Sequence, residues 1–77
     1  MKLIQVLGPG CFKCTQLMEN AEAAVKQSGA EATVEKITDI AAIAGFGVMM
    51  TPALAIDGEV KIIGKVASVE EIAGLLT

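Results

Sequence analysis

Cys11 and Cys14 are the only thiols in the chain, and they stand in the run Gly8-Pro9-Gly10-Cys11-Phe12-Lys13-Cys14. Two cysteines at C-x-x-C spacing can form a redox couple, hold a soft metal, supply half of a larger metal site, or staple a loop. The rest of the chemical inventory narrows the choice. The sequence contains no His, Tyr or Trp, which rules out a Ser–His or Cys–His nucleophile pair and any zinc site with a histidine ligand. What remains for chemistry at neutral pH is two thiols, nine carboxylates and six lysines.

Each use of the two thiols makes a different demand. A structural bridge over so short a loop removes little entropy from the unfolded chain. A four-cysteine zinc or iron–sulfur site would require two chains to share one metal. A Cu(I) or zinc carrier needs only the two thiolates and is the main rival to a redox couple. Small copper-chaperone domains, however, run β-α-β-β-α-β and usually carry a Met before the first cysteine, where this chain has Gly10. A redox sensor or adaptor that oxidises without turning over is a further alternative. Direct exchange between thiols and a disulfide calls for no cofactor, and no metal ligand set is assigned.

The elements around the thiols decide how they are presented. Lys2 to Leu7 is apolar and β-branched, bounded by Gly8-Pro9-Gly10, and reads as a buried first strand. From about Cys11 to Ser28 the period becomes helical, with Cys14, Leu17, Ala21, Ala24 and Val25 on one face and Gly29 placed to end it. Cys11 therefore opens a helix, where unpaired N–H groups and the positive dipole end stabilise a thiolate, and Lys13 adds positive charge nearby. Cys14, one turn in and facing inward, is expected to be sheltered and to resolve a mixed disulfide by intramolecular attack.

Further along, Ala32 to Ile37 reads as a second strand. A short helix follows, capped by Thr38 or Asp39, with Ile40, Ile43 and Ala44 inward and Gly45 and Gly47 closing it. Pro52 holds Thr51 extended before a third strand, Ala53 to Ile56. Asp57-Gly58 signals a tight hairpin into a fourth strand, Glu59 to Gly64. Ser68 to Glu71 forms a capping box that opens a last helix with Val69, Ile72, Leu75 and Leu76 inward. The order β-α-β-α-β-β-α predicts an α/β fold: a four-stranded mixed sheet flanked by three helices, its first two strands parallel through a right-handed crossover.

The 77 residues leave room for one domain, 1–77, and a chain of this size buries only roughly 60% of its unfolded surface. With Phe12 and Phe46 as the only rings, the core must be aliphatic. A net charge of −3, scattered lysines and few aromatics argue against a nucleic-acid partner. No apolar run approaches the ~18 residues of a membrane span, and the N-terminal segment lacks a small-residue cleavage site after a full apolar region. The expectation is a cytoplasmic protein with no membrane partner. Gly8 and Gly10 read as loop flexibility beside the thiols, and Met49 and Met50 as packing at the core or its rim rather than as metal ligands.

The segments GPGCFKC, ITDI and GVMMTPALAIDG, with the short final helix, together resemble the small thioredoxin/glutaredoxin-like redox proteins of archaea and bacteria, almost end to end. The resemblance implies a thioredoxin fold trimmed of its first strand and helix, and dithiol–disulfide exchange. It implies that Cys11 is the nucleophile, that Cys14 resolves, and that Phe12 and Lys13 tune the couple. It also implies that Pro52 is the cis-proline, and that Thr51, flanked by Met50, offers its backbone to an extended substrate. The implied partners are protein disulfides and a reductase, linked to NADPH, ferredoxin or glutathione, acting on a monomer. Phe12, Met50 and Phe46 would form an exposed apolar rim around Cys11. The chain departs from thioredoxins proper in lacking a Trp before the first cysteine and a Gly-Pro between the two. It also has Gln5 where they bury an acid that serves the resolving thiol, leaving Glu35 or Lys36 as candidates for proton transfer.

Overall fold

The apolar runs and the helical period resolve into seven elements in a computed structural model that describes residues 2–10 and 12–76. Two strands, β1 (Lys2–Leu7) and β2 (Ala32–Ile37), lie on either side of a long helix, α1 (Phe12–Ser28). The short α2 (Ile40–Gly45) leads to the hairpin β3 (Ala53–Ile56) and β4 (Glu59–Ile63), and α3 (Val69–Leu76) follows. The sheet order is β2-β1-β3-β4. β1 pairs with β2 in parallel, from Lys2 opposite Ala32 to Leu7 opposite Ile37, and with β3 antiparallel. The succession of elements along the chain and the mixed sheet are those the sequence predicts.

Burial follows from that order. β3 has a strand on each side and all four of its residues are buried, so it reads as a continuous apolar run. β2, at the edge, alternates and keeps Thr33, Glu35 and Lys36 exposed. Ile4 and Val6 face one side of the sheet, where Leu17, Ala21 and Ala24 of α1 and Ile72 and Leu76 of α3 cover them. Leu7 faces the other side and meets Ile43, Val48 and Ala53. Asn20 on α1 donates from Nδ2 to the Ala67 carbonyl at 2.9 Å, tying the long helix to the segment before α3.

The turns and caps have local causes. Asp57 (φ 52°) and Gly58 (φ 83°) are both left-handed, as a two-residue hairpin turn requires. Asp39 caps α2 by accepting from the Ala41 N–H. Ser68 and Glu71 form the reciprocal box, with Glu71 N–H donating to Ser68 Oγ at 3.1 Å and Ser68 N–H to Glu71 Oε1 at 3.4 Å.

Two inward faces differ from expectation. In α2 only Ile43 is buried, and Ile40 is 65% exposed. The helix is under two turns long, and Phe46 and Val48, which follow it, complete the cluster around Ile43 in place of Ile40 and Ala44. In α3 the inward stripe is Val69, Ile72, Ala73 and Leu76, and Leu75 falls to its side, partly exposed.

Candidate redox site

Gly8, Gly10, Phe12, Lys13 and Cys14 sit where β1 hands over to α1. The strand ends with Leu7, but the pairing runs one step further, because the Gly8 N–H donates to the Ile37 carbonyl at 2.9 Å. Gly10 has a φ of +94°, a conformation glycine adopts freely, and the chain turns there toward the helix. Phe12 and Lys13 then point outward, with Phe12 82% exposed. Cys14, in the first turn of α1, has no solvent exposure. Cys11, the expected nucleophile, lies outside the described residues.

The sulfur of Cys14 rests against Gly8: a Cβ built on Gly8 would overlap Cys14 Sγ and stand 3.1 Å from Cys14 Cβ. The same position would be 3.8 Å from Thr51 Cβ. Gly8 is thus the common neighbour of Cys14 and Thr51, which lie 37 positions apart in sequence. The expectation of loop flexibility is corrected here for Gly8. Its nitrogen is paired and its φ is not left-handed, so the glycine serves space rather than mobility.

The segment before β3 completes the site. The Thr51–Pro52 peptide bond is cis. Pro52 is buried, and its carbonyl accepts from the Gly64 N–H at 2.8 Å, which anchors the onset of β3 to the end of β4. Thr51 is exposed. Met50 lies over Gly64, where an added Cβ would stand 3.2 Å from Met50 Cε, while Met49 is 95% exposed. Phe46 was expected on the exposed rim; instead it is half-buried against Leu7, Ile43, Val48 and Ala53.

Gln5, half-buried on β1, donates from Nε2 to Glu35 Oε1 at 3.1 Å, across the register position that pairs the two residues. Glu35 is therefore engaged with Gln5 on the sheet, whereas Lys36 faces solvent one register position further on, opposite Val6. The residue whose place beside the thiol sequence reasoning missed is Gly8. The available signal was a glycine directly after a buried strand and six positions before a buried cysteine, too general a pattern to indicate a sulfur's seat.

A family model for the thioredoxin domain matches residues 2–77. A thioredoxin of Methanothermobacter thermautotrophicus is 47% identical over 77 residues, spanning the whole of both chains. A thioredoxin of Methanocaldococcus jannaschii is 43% identical over 72 residues, covering 94% of this chain and 83% of that one. The chain belongs to the thioredoxin family. It is a thiol–disulfide oxidoreductase, working on disulfide substrates and paired with a reductase. The family membership lends nothing to the metal-carrier alternative. Among the described residues, no helix is long and apolar enough to cross a membrane.

Proposed function

We propose that Cys11 attacks a disulfide of a protein substrate and that Cys14 resolves the resulting mixed disulfide. In the first step the Cys11 thiolate forms a bond to one substrate sulfur, and the other leaves as a thiolate that takes up a proton. In the second, Cys14 loses its proton and attacks Cys11 Sγ. The Cys11–Cys14 bond forms, the Cys11–substrate bond breaks, and the second substrate sulfur leaves with the electron pair and is protonated. The substrate gains two electrons and two protons; the couple supplies both electrons and the Cys14 proton, and the other proton comes from water, which received it when Cys11 ionised. A reductase then restores the dithiol.

The observation that carries the reading is the burial of Cys14 in the first turn of α1, with Phe12 and Lys13 exposed immediately before it. A sheltered thiol suits attack on a neighbour better than attack on an external disulfide. Thr51, exposed beside Gly8, is the backbone that an extended substrate would pair with, and Pro52 and Met50 position it. Phe12 and Lys13 tune the couple from the helix start. We assign the 1–77 chain to one domain acting as a monomer in the cytoplasm, its reductase linked to NADPH, ferredoxin or glutathione.

The test is covalent trapping. Cys14→Ser accumulates a mixed disulfide with a protein substrate, and Cys11→Ser accumulates none. If both variants reduce the substrate as fast as the parent, the assignment fails. Turnover with each class of reductase in turn identifies the electron donor.

A further inference from the structure

Gly8 is the one glycine in the described residues whose missing side chain is occupied by a sulfur. Five others, Gly10, Gly29, Gly47, Gly58 and Gly64, have left-handed φ values that account for them by conformation alone. Gly8 does not, so an alanine could adopt its backbone, and only the space is forbidden. That space is filled by Cys14 Sγ, with Thr51 Cβ on its border.

The backbone of Gly8 cannot back away from an added methyl. It is buried, its N–H is held by the Ile37 carbonyl, and it continues directly from the fully buried Val6 and Leu7. The sulfur would have to move instead. Side chains occupy staggered wells, so a displaced cysteine sulfur swings into another well or the first turn of α1 shifts. Both change the line along which the Cys14 sulfur approaches its target.

We propose that Gly8 is a positioning residue for resolution: its bare Cα is the seat that holds the Cys14 sulfur on its line of attack. The proposal rests on the assignment of Cys14 as the resolving thiol. Placement errors near 1 Å can cost on the order of 10²-fold in an oriented reaction, so a methyl at this seat acts on the second exchange step and not on the first.

The experiment mixes the reduced protein with one equivalent of an aromatic disulfide whose released thiolate absorbs visible light. Attack by Cys11 releases one equivalent, and resolution by Cys14 releases the second. Gly8→Ala is expected to leave the first phase within about twofold of the parent and to slow the second about tenfold or more, with the mixed disulfide accumulating by mass. Gly45→Ala, where an added Cβ meets open space, retains both phases. If Gly8→Ala keeps parental rates in both phases, or slows both equally, the proposal is overturned. Cys14→Ser run in parallel separates the two ideas. One equivalent and a trapped adduct uphold the role of Cys14 whatever Gly8→Ala does, whereas two equivalents remove that role.

A second measurement covers the case in which Gly8→Ala folds poorly. If the penalty is the sulfur's, adding Cys14→Ala should restore most of the shift in urea midpoint that Gly8→Ala causes. A double variant no more stable than Gly8→Ala alone overturns the seat.

Discussion

Leu3 and Asp57 are joined by two reciprocal hydrogen bonds. The Leu3 N–H donates to Asp57 Oδ1 at 2.9 Å, and the Asp57 N–H donates to the Leu3 carbonyl at 2.8 Å. One residue thus shapes the β3–β4 hairpin through its left-handed φ of 52° and clamps that hairpin to β1. The clamp holds the ends of β1 and β3 remote from the redox site; at their other ends Gly8 follows β1 and Pro52 precedes β3.

Asp57→Ala removes the side-chain acceptor for the Leu3 N–H and puts at a left-handed φ a residue that tolerates it less well than Asp. The lost bond is worth about 1 kcal/mol, and the difference in tolerance adds a fraction of the roughly 1–2 kcal/mol that the conformation costs a residue with a Cβ. The expected loss is about 1–2 kcal/mol, seen by far-ultraviolet circular dichroism as a lower urea midpoint at unchanged slope. Asp57→Asn, which keeps an acceptor and tolerates the same φ, should recover most of it. Equal losses in the two variants would mean that neither the acceptor nor the φ matters.

Glu71 gives the fold a pH dependence with a defined sign. Its carboxylate accepts from Lys65 Nζ at 2.8 Å and from the Ser68 N–H, and these two bonds, Lys65 first, hold its pKa below the ordinary 4.5. A group depressed on folding stabilises the native state above its unfolded pKa and loses that contribution as pH falls through its folded pKa. Stability should therefore decline below about pH 4.5 partly through this residue. Glu71→Gln should show a shallower decline of the urea midpoint in that window, with a lower midpoint at pH 7. A slope identical to the parent's would remove Glu71 from the pH response.

Most of the architecture was legible because it rests on local rules. The hairpin followed from Asp57-Gly58, the last cap from Ser68 and Glu71, and the long helix from the spacing of Cys14, Leu17, Ala21 and Ala24. Faces of short helices were not legible, since under two turns the periodicity of Ile40, Ile43 and Ala44 fits more than one orientation. Tertiary packing by Phe46 and Val48 then chose among them. In the site, the inward position of Cys14 could be read from its helical face. The place of Gly8 could not, because a glycine required for space and one required for conformation look the same in sequence; the backbone φ and the position of the sulfur distinguish them.

The packing of α2 gives a paired prediction. Ile43, 5% exposed, is the residue through which the helix reaches Leu7, Val48 and Ala53. Ile43→Ala should cost about 2–5 kcal/mol, as buried large-to-small changes do. Ile40→Ala, at an exposed position, should stay within about 0.5 kcal/mol. Urea unfolding of the two variants measures the difference, and comparable losses would mean that Ile40 also packs inward.

Phe12 tests how the surface around the thiols is used. A large ring that is 82% exposed adds little to the core, so Phe12→Ala should change stability by no more than about 0.5 kcal/mol. Its apolar area is available to a partner, where burying an aromatic side chain contributes about 1.5–3 kcal/mol. That range corresponds to roughly a tenfold to hundredfold change in affinity when it is fully realised. Steady-state reduction of a protein disulfide by Phe12→Ala, with a saturating reductase, should therefore show a raised KM and a nearly unchanged kcat. Reduction of a small aromatic disulfide, which does not bury the ring, should change far less, by no more than the ring's part in tuning the couple. If Phe12→Ala lowers the rate on both substrates alike, the ring acts through the chemistry of the couple alone. If it alters neither, protein substrates dock without it.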